Sequence, residues 1–326
     1  MPSTTDWLLS KMHITNAFIQ HDDVSIISIS PELFFKKDGD VLTTRPMKGT
    51  TNRGLTTETD LKQAQWLAHD QKNRSENMMI VDLLRNDMNR ISKIGSENVK
   101  RLCQVEQYST VWQMTSTIET QLLPNSRLDD IFQALFPCGS ITGAPKIATM
   151  AIIKNVEKQA RGVYCGAIGI LLPNGPTIFN VAIRTLQMQG NKAIYGVGGG
   201  ITWDSKWEAE YEETKQKSAI LYRQNPRFDL ISTGRIHQGK LLHLKEHLNR
   251  LQESSRYFAY PFNKEEVQNQ RCFMGSKPDG SYVRSNSRSY SKILNYRKLR
   301  RVQYMVCTYL TIDCDACKFI LSKTVR

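Results

Sequence analysis

A chain of 326 residues is long enough for about two domains and a sizeable buried core. It has no run of about 18 apolar residues, which excludes a membrane-spanning helix, and Met1-Pro2-Ser3-Thr4-Thr5-Asp6 has neither the basic opening nor the apolar run of a secretory leader, so a cytoplasmic location with reduced thiols is expected. The net charge of +13 suggests nucleic-acid binding, but twelve Lys and Arg against three Asp lie in 271–326, so the excess belongs mostly to the tail and no nucleic-acid partner is expected.

In chain order, Val24-Ser25-Ile26-Ile27-Ser28-Ile29-Ser30 is β-branched and mostly apolar and reads as a buried strand ended by Pro31. Residues 34–44 read as a hairpin around Asp38-Gly39. In Arg45-Pro46-Met47-Lys48-Gly49-Thr50, a turn made by Pro46 and Gly49 holds one amine among mostly uncharged neighbours, which makes Lys48 a candidate nucleophile. Residues 57–89 read as one long helical stretch and 128–136 as a short helix. A helix over 145–157 follows, with Thr142 or Ser140 where its cap should be. Residues 163–172, 177–187 and 192–197 read as three consecutive strands, and 206–223 as a final helix dense in Glu and Lys. Clustered strands and helices predict an α+β fold with antiparallel sheets.

Several residue patterns imply ligand chemistry. Arg184 interrupts the apolar run Val181-Ala182-Ile183-Arg184-Thr185, and a buried guanidinium needs an anion, which its fork grips bidentately. Gly139-Ser140-Ile141-Thr142-Gly143-Ala144-Pro145-Lys146 leads a glycine-containing turn into a helix N-terminus, where exposed N–H groups favour anions; Thr142 and Gly143 are the expected contacts. Gly198-Gly199-Gly200 lets backbone approach a ligand closely. Glu210 and Glu213 follow, one helical turn apart on one face.

With Glu76-Asn77-Met78-Met79-Ile80-Val81-Asp82-Leu83-Leu84-Arg85-Asn86-Asp87 and Tyr164-Cys165-Gly166-Ala167-Ile168-Gly169, these blocks form an ordered set that resembles the chorismate-utilising enzymes over about 28–221. That family includes anthranilate synthase component I, isochorismate and salicylate synthases, and aminodeoxychorismate synthase component I. The resemblance implies a layered α/β sandwich with chorismate bound between two sheet-based halves. Lysine at position 48, where anthranilate synthases carry alanine, implies the branch that turns chorismate and ammonia into 4-amino-4-deoxychorismate for para-aminobenzoate and folate. Glu32 then matches the general acid and Lys48 a covalent nucleophile. Glu76 and Glu213 match Mg²⁺ ligands, with Glu210 as a second carboxylate beside Glu213. Tyr164 and Lys217 match contacts to a substrate carboxylate, alongside Arg184, Thr142, Gly143 and the backbone of Gly198, Gly199 and Gly200. Asp82, Arg85, Asn86 and Asp87 are expected to tie loops together. Position 73 is Asn where relatives often carry an acid near the metal, and position 113 is Gln where many carry His near the substrate ring. Ammonia is expected from a separate glutamine amidotransferase subunit. The alternatives are anthranilate synthase component I and an inactive truncated remnant.

Family members carry a long stretch, with several core strands, before the Ser30-Pro31-Glu32 block, so an N-terminally truncated synthase domain is expected over 1–223. Phe228-Asp229-Leu230-Ile231-Ser232-Thr233 and His243-Leu244-Lys245-Glu246-His247-Leu248-Asn249-Arg250-Leu251 resemble the start of a fold-type IV pyridoxal-phosphate enzyme, aminodeoxychorismate lyase, which defines 224–269. The cofactor lysine of that family lies far downstream, so no pyridoxal phosphate is expected. Residues 270–326 form an unmatched basic tail with no strand or helix period, expected to be disordered or frame-shifted. Its Cys314-x-x-Cys317 pair has no second pair or nearby His to complete a metal site.

Overall fold

Residues that accept left-handed backbone turn the first strands into hairpins. β1 (Thr15–His21) turns at Asp22, φ 50°, into β2 (Val24–Ser30); β3 (Leu33–Asp38) turns at Gly39, φ 57°, into β4 (Val41–Arg45). The computed structural model describes residues 15–221 apart from 109, 174 and 204, together with 230–237, 240–269 apart from 259 and 261, and 282–287. Three antiparallel sheets, two of them in the main body, and flanking helices make the fold α+β, as the patterning implied.

The larger sheet has seven strands, adding β5 (Met47–Asn52), β6 (Asn98–Gln107), β7 (Val111–Gln121), β8 (Ala167–Leu171) and β9 (Thr177–Val181). β4 and β5 share one side of β7, pairing with its 118–121 and 111–115 portions, so they act as one strand interrupted at Pro46. β6 occupies the other side of β7. The smaller sheet runs β1-β2-β10-β11, with β10 (Thr185–Gln189) and β11 (Lys192–Tyr195).

Four expectations are corrected. The run 57–89 is two helices, α1 (Thr57–His69) and α2 (Gln71–Asn89), because Asp70 leaves helical geometry at ψ 117° and its carboxylate accepts the Asn73 N–H as a cap. The apolar run 177–187 is two strands in different sheets; the chain crosses over at 182–184, where Arg184 takes φ 51°. Arg184 therefore sits at a corner, not within a strand. After α3 (Leu128–Leu135), helix α4 (Lys146–Val156) starts beyond Pro145 without a side-chain cap, since the Thr142 hydroxyl donates to the Cys138 carbonyl at 3.0 Å. The long β6–β7 hairpin had no counterpart among the expected elements. The last expected helix is α5 (Trp207–Ser218), followed by a 3₁₀ turn to Leu221.

The core lies between the seven-stranded sheet and α2 and α3. Phe34, Phe35, Phe132 and Phe179 are at most 2% exposed, and their rings meet 5.0–5.9 Å apart. Asn77, Ile80, Val81, Leu84 and Met88 form the buried stripe of α2, the 3.6-residue period of a helix on a sheet. Removing one such Phe typically costs about 3–5 kcal/mol.

The C-terminal segment forms β12 (Leu230–His237), β13 (Lys240–Leu241), α6 (Leu244–Tyr257) and α7 (Lys264–Asn269), with a small core of Leu230, Leu248, Leu251 and Val267. Residues 282–287, where no strand was expected, pair antiparallel with β12 as β14 (Tyr282–Ser287). The end of α6 docks on the main body. Arg53 stacks on Trp112 and Tyr257 at 5.2 and 4.7 Å, grips Asp60 with two bonds of 2.7 Å, and donates to the Tyr257 carbonyl at 2.8 Å. Cys272, Cys307, Cys314, Cys317 and residues 1–14 lie outside the described residues. Among the described residues no helix is long and apolar enough to cross a membrane.

Candidate active site

Lys48 owes its position to an irregularity in β5. Met47 pairs with Thr115 and Thr50 with Gln113, so Lys48 and Gly49 together face Met114 alone. Such a bulge bends the strand and re-aims a side chain. Gly49 takes φ 92°, which a residue with a Cβ adopts only under strain. Lys48 thus lies on a strand bulge rather than in a turn between Pro46 and Gly49. Its amine faces the glycine loop: a Cβ built on Gly200 would lie 3.2 Å from Lys48 Nζ.

Glu32, between β2 and β3, is 3% exposed. Burial raises its carboxyl from 4.5 to about 7, against the opposing pull of the Ser140 hydroxyl, the Lys48 charge and the Met47 backbone. Its Oε1 has no hydrogen-bond partner. A buried oxygen in that condition is costly by itself and is matched by a ligand that offers a hydroxyl. Near neutral pH about half the population carries the proton, the condition for a general acid. Cys138 beside it is inert as a nucleophile: burial, then the Glu32 charge, push its thiol to about 12.

Ser140 reaches Glu32 from the 3₁₀ turn Gly139–Ile141, and the loop around it is tied down at both ends. Lys146 pairs with Asp87 of α2 and donates to the Leu135 carbonyl at 3.0 Å. Arg161, gripped by Glu157 at 2.6 and 2.8 Å, donates to the Ile141 carbonyl at 3.0 Å. Asp87 has the tethering role expected of it; Arg85 likewise bridges Asp82 and Glu97. Thr142 and Gly143 stand on this loop and connect to Glu32 through Ser140; the Thr142 hydroxyl proton is already committed to the loop's own carbonyls.

The glycine loop gathers the remaining groups. A Cβ on Gly198 would lie 2.9 Å from the Tyr164 hydroxyl, and Lys217 donates to the Gly198 carbonyl at 2.9 Å. A Cβ on Gly199 would lie 3.1 Å from Glu210 Oε2, whose other oxygen accepts the Ser205 hydroxyl at 2.7 Å. Glu213 pairs with Lys217 at 2.6 Å. Burial, followed by the neighbouring Cys165, raises the Tyr164 phenol, which stays a donor at neutral pH. Arg184 hydrogen-bonds Tyr195 at the sheet crossing, and burial raises that tyrosine despite the arginine.

Glu32, Lys48, Gly200, Gly199 and Glu210 therefore neighbour one another in turn, with Gly198, Tyr164, Lys217 and Glu213 alongside. Glu76 lies on α2, half-buried and 4.0 Å from Lys72. Among the described residues no three His, Cys, Asp or Glu side chains gather into a ready metal cage. The donors are hard carboxylate oxygens, and magnesium takes only one or two of these beside water and substrate. The set fits magnesium by chemistry without forming a cage in advance. Sequence reading missed Asn77, a fully buried amide whose side chain reaches the Lys48 carbonyl at 3.4 Å. Its signal was a polar residue on the apolar stripe of a helix.

The body is a two-sheet α+β fold in which a buried carboxyl feels the charge of a lysine that faces a glycine loop. The family model for chorismate binding enzymes matches residues 7–223, and the chain belongs to that family. It is 41% identical over 207 residues to aminodeoxychorismate synthase component 1 of Bacillus subtilis, covering 64% of this chain and 44% of that protein. It is 43% identical over 209 residues to the Escherichia coli protein of the same name, covering 64% and 46%. An anthranilate synthase component 1 of Haloarcula marismortui is 40% identical over 206 residues, covering 63% and 42%. The chain thus spans less than half the length of these relatives. Among solved structures, anthranilate synthase component I from Streptococcus pneumoniae superposes with a TM-score of 0.59 at 36% identity, covering 64% of this chain and 46% of that one. The menaquinone-specific isochorismate synthase of Escherichia coli shares the fold at TM-score 0.59 and 24% identity, covering 64% and 48%.

Proposed function

We propose that this chain carries the chemistry that converts chorismate and ammonia to 4-amino-4-deoxychorismate, a step toward para-aminobenzoate and folate. The observation that carries the reading is the juxtaposition of Glu32, whose carboxyl burial raises to about 7, with the charge of Lys48. The aminodeoxychorismate synthase relatives support it at 41–43% identity. Ammonia would come from a separate glutamine amidotransferase, in keeping with the "component 1" in those relatives' names.

Chorismate is a cyclohexadiene dicarboxylate with a hydroxyl at C4. Bound magnesium would neutralise the ring carboxylate; of the candidate ligands Glu76, Glu210 and Glu213, one or two would hold it directly and the rest through water. Arg184, Tyr164 and Lys217 serve the enolpyruvyl carboxylate, and the backbone of Gly198, Gly199 and Gly200 admits the ring close to Lys48. Thr142 and Gly143 line the loop side. Glu32 gives its proton to the departing C4 hydroxyl, which leaves as water. Lys48, as the neutral amine, bonds C2 through its nitrogen as the double bond shifts, and the resulting ammonium returns its surplus proton to Glu32. Ammonia next bonds C4 as the double bond shifts back, and Lys48 leaves with a proton from Glu32. The new C4 ammonium restores that proton. Covalent catalysis of this kind splits one hard displacement into two easier ones.

Incubation with chorismate, Mg²⁺ and an ammonium salt tests the reading by product analysis. Aminodeoxychorismate supports it; anthranilate with release of pyruvate refutes it. That second outcome belongs to the anthranilate synthase reading, which the relatives at 40% and 36% identity favour and the lysine at position 48 opposes. The third reading is a chain that is inactive. It predicts no shift of the thermal transition by chorismate and Mg²⁺.

A further inference from the structure

The bulge that presents Lys48 creates a problem in the sheet. Where two residues of β5 face one of β7, ladder hydrogen bonds are lost, and the carbonyls of Lys48 and Gly49 need other donors. Both are met by side-chain amides from different elements. Gln113 Nε2, from β7, donates to the Gly49 carbonyl at 2.8 Å. Its Oε1 accepts the Thr50 hydroxyl at 2.8 Å, which fixes the orientation of the amide. Asn77 Nδ2, from α2, reaches the Lys48 carbonyl at 3.4 Å. Asn77 Oδ1 accepts the Ser116 hydroxyl, and Ser116 Oγ accepts the Cys103 N–H at 2.9 Å, so the asparagine is itself locked to the sheet. On the helix side, Asn73 fills the space left by the missing Cβ of Gly49: a Cβ there would lie 3.0 Å from Asn73 Cβ.

We propose that Gln113 and Asn77 are positioning residues for Lys48, clamping the two peptides of the bulge from opposite sides so that the amine is held at Gly200. The inference rests on Lys48 being the reacting group, but its geometry stands independently of turnover. It changes the reading of two sequence positions. Gln113, expected to face the substrate ring, spends both ends of its amide on the bulge. Asn73, where relatives often carry an acid near the metal, is a packing partner of Gly49.

The test is nuclear magnetic resonance of the full chain labelled with ¹³Cε-lysine, with Lys48 assigned from its loss in Lys48→Arg. Gln113→Met keeps the volume and removes both hydrogen bonds. The Lys48 signal should move at least halfway toward the free-lysine position, or broaden at least twofold, while the other lysine signals and the thermal transition stay put. Should Gln113→Met fail to fold, Gln113→Glu keeps the shape and the Thr50 bond but cannot donate to Gly49; it should shift the same signal. A Lys48 signal unchanged within its line width in the folded variant overturns the proposal. Because no chorismate is needed, this result is separable from any failure of the proposed reaction. In active protein, kcat should fall at least tenfold in the same variant with KM within twofold, whereas a KM increase alone would overturn the positioning role.

Discussion

Replacing Glu32 with Gln separates the cost of the buried acid from its use. In the folded chain the carboxyl titrates at about 7 instead of 4.5, chiefly because it is fully buried. Between those values the folded state holds more protons than the unfolded state, so stability falls as pH rises. The cost is absent below about pH 4.5, grows through the interval and is complete above about pH 7. A shift of this size corresponds to about 3 kcal/mol at about 1.4 kcal/mol per unit, most of it between pH 5 and pH 8.5. Glutamine keeps the shape and has no charge to bury. Urea unfolding of the parent and Glu32→Gln at about pH 5 and about pH 8.5 measures the difference; groups common to both chains cancel. Relative to the parent, the variant should gain about 2–3 kcal/mol between the two pH values. A difference that stays flat with pH would show that Glu32 titrates normally and would remove the physical basis for its role as an acid. In active protein the matching kinetic signature is a rate that declines above about pH 7 as the proton is lost.

Three further outcomes follow from named contacts. Gly200→Ala places a Cβ 3.2 Å from Lys48 Nζ; aminodeoxychorismate formation should fall at least about tenfold, while the melting temperature moves by only a degree or two, because the crowded atom is the tip of a flexible side chain. Arg53→Leu leaves the buried Asp60 carboxylate without its guanidinium and should cost about 3–5 kcal/mol in urea unfolding; Arg53→Lys should recover only part, since an ammonium cannot reproduce the two-bond grip and both ring contacts. Chelation of magnesium should abolish the chorismate-induced rise in melting temperature and leave the ligand-free transition unchanged, because among the described residues no three His, Cys, Asp or Glu side chains form a cage in advance.

Much of the fold was legible where local chemistry decides it. β2 and the β3–β4 hairpin follow from β-branched alternation and an Asp-Gly turn. The hairpin of β6 and β7 was not legible, because β6 faces solvent on much of its length and reads NVKRLCQVEQ, a polar string whose strand state comes from pairing with β7. The break at Asp70 was hidden by good helix formers on both sides. The crossing at 182–184 was hidden because β9 and β10 follow one another with only three residues between them and belong to different sheets. In the site, the order of motifs singled out Lys48, Glu32, the glycine loop and Tyr164 as candidates, and the structure places them near one another. The Lys48 bulge was invisible because it depends on register against a strand more than 60 residues away. Arg184 was misplaced for the same reason: a corner between sheets is a tertiary event.

The central claim is that Lys48 is the covalent nucleophile, and mass spectrometry tests it most directly. The chain is mixed with chorismate and Mg²⁺ without ammonia, quenched, digested and mapped. The account predicts a chorismate-derived mass, less one water, on the peptide containing Lys48 and on no peptide of Lys48→Ala, whose aminodeoxychorismate formation should fall by about 10²-fold or more. An active parent that carries no such adduct, and a Lys48→Ala variant that keeps its full rate, would contradict it.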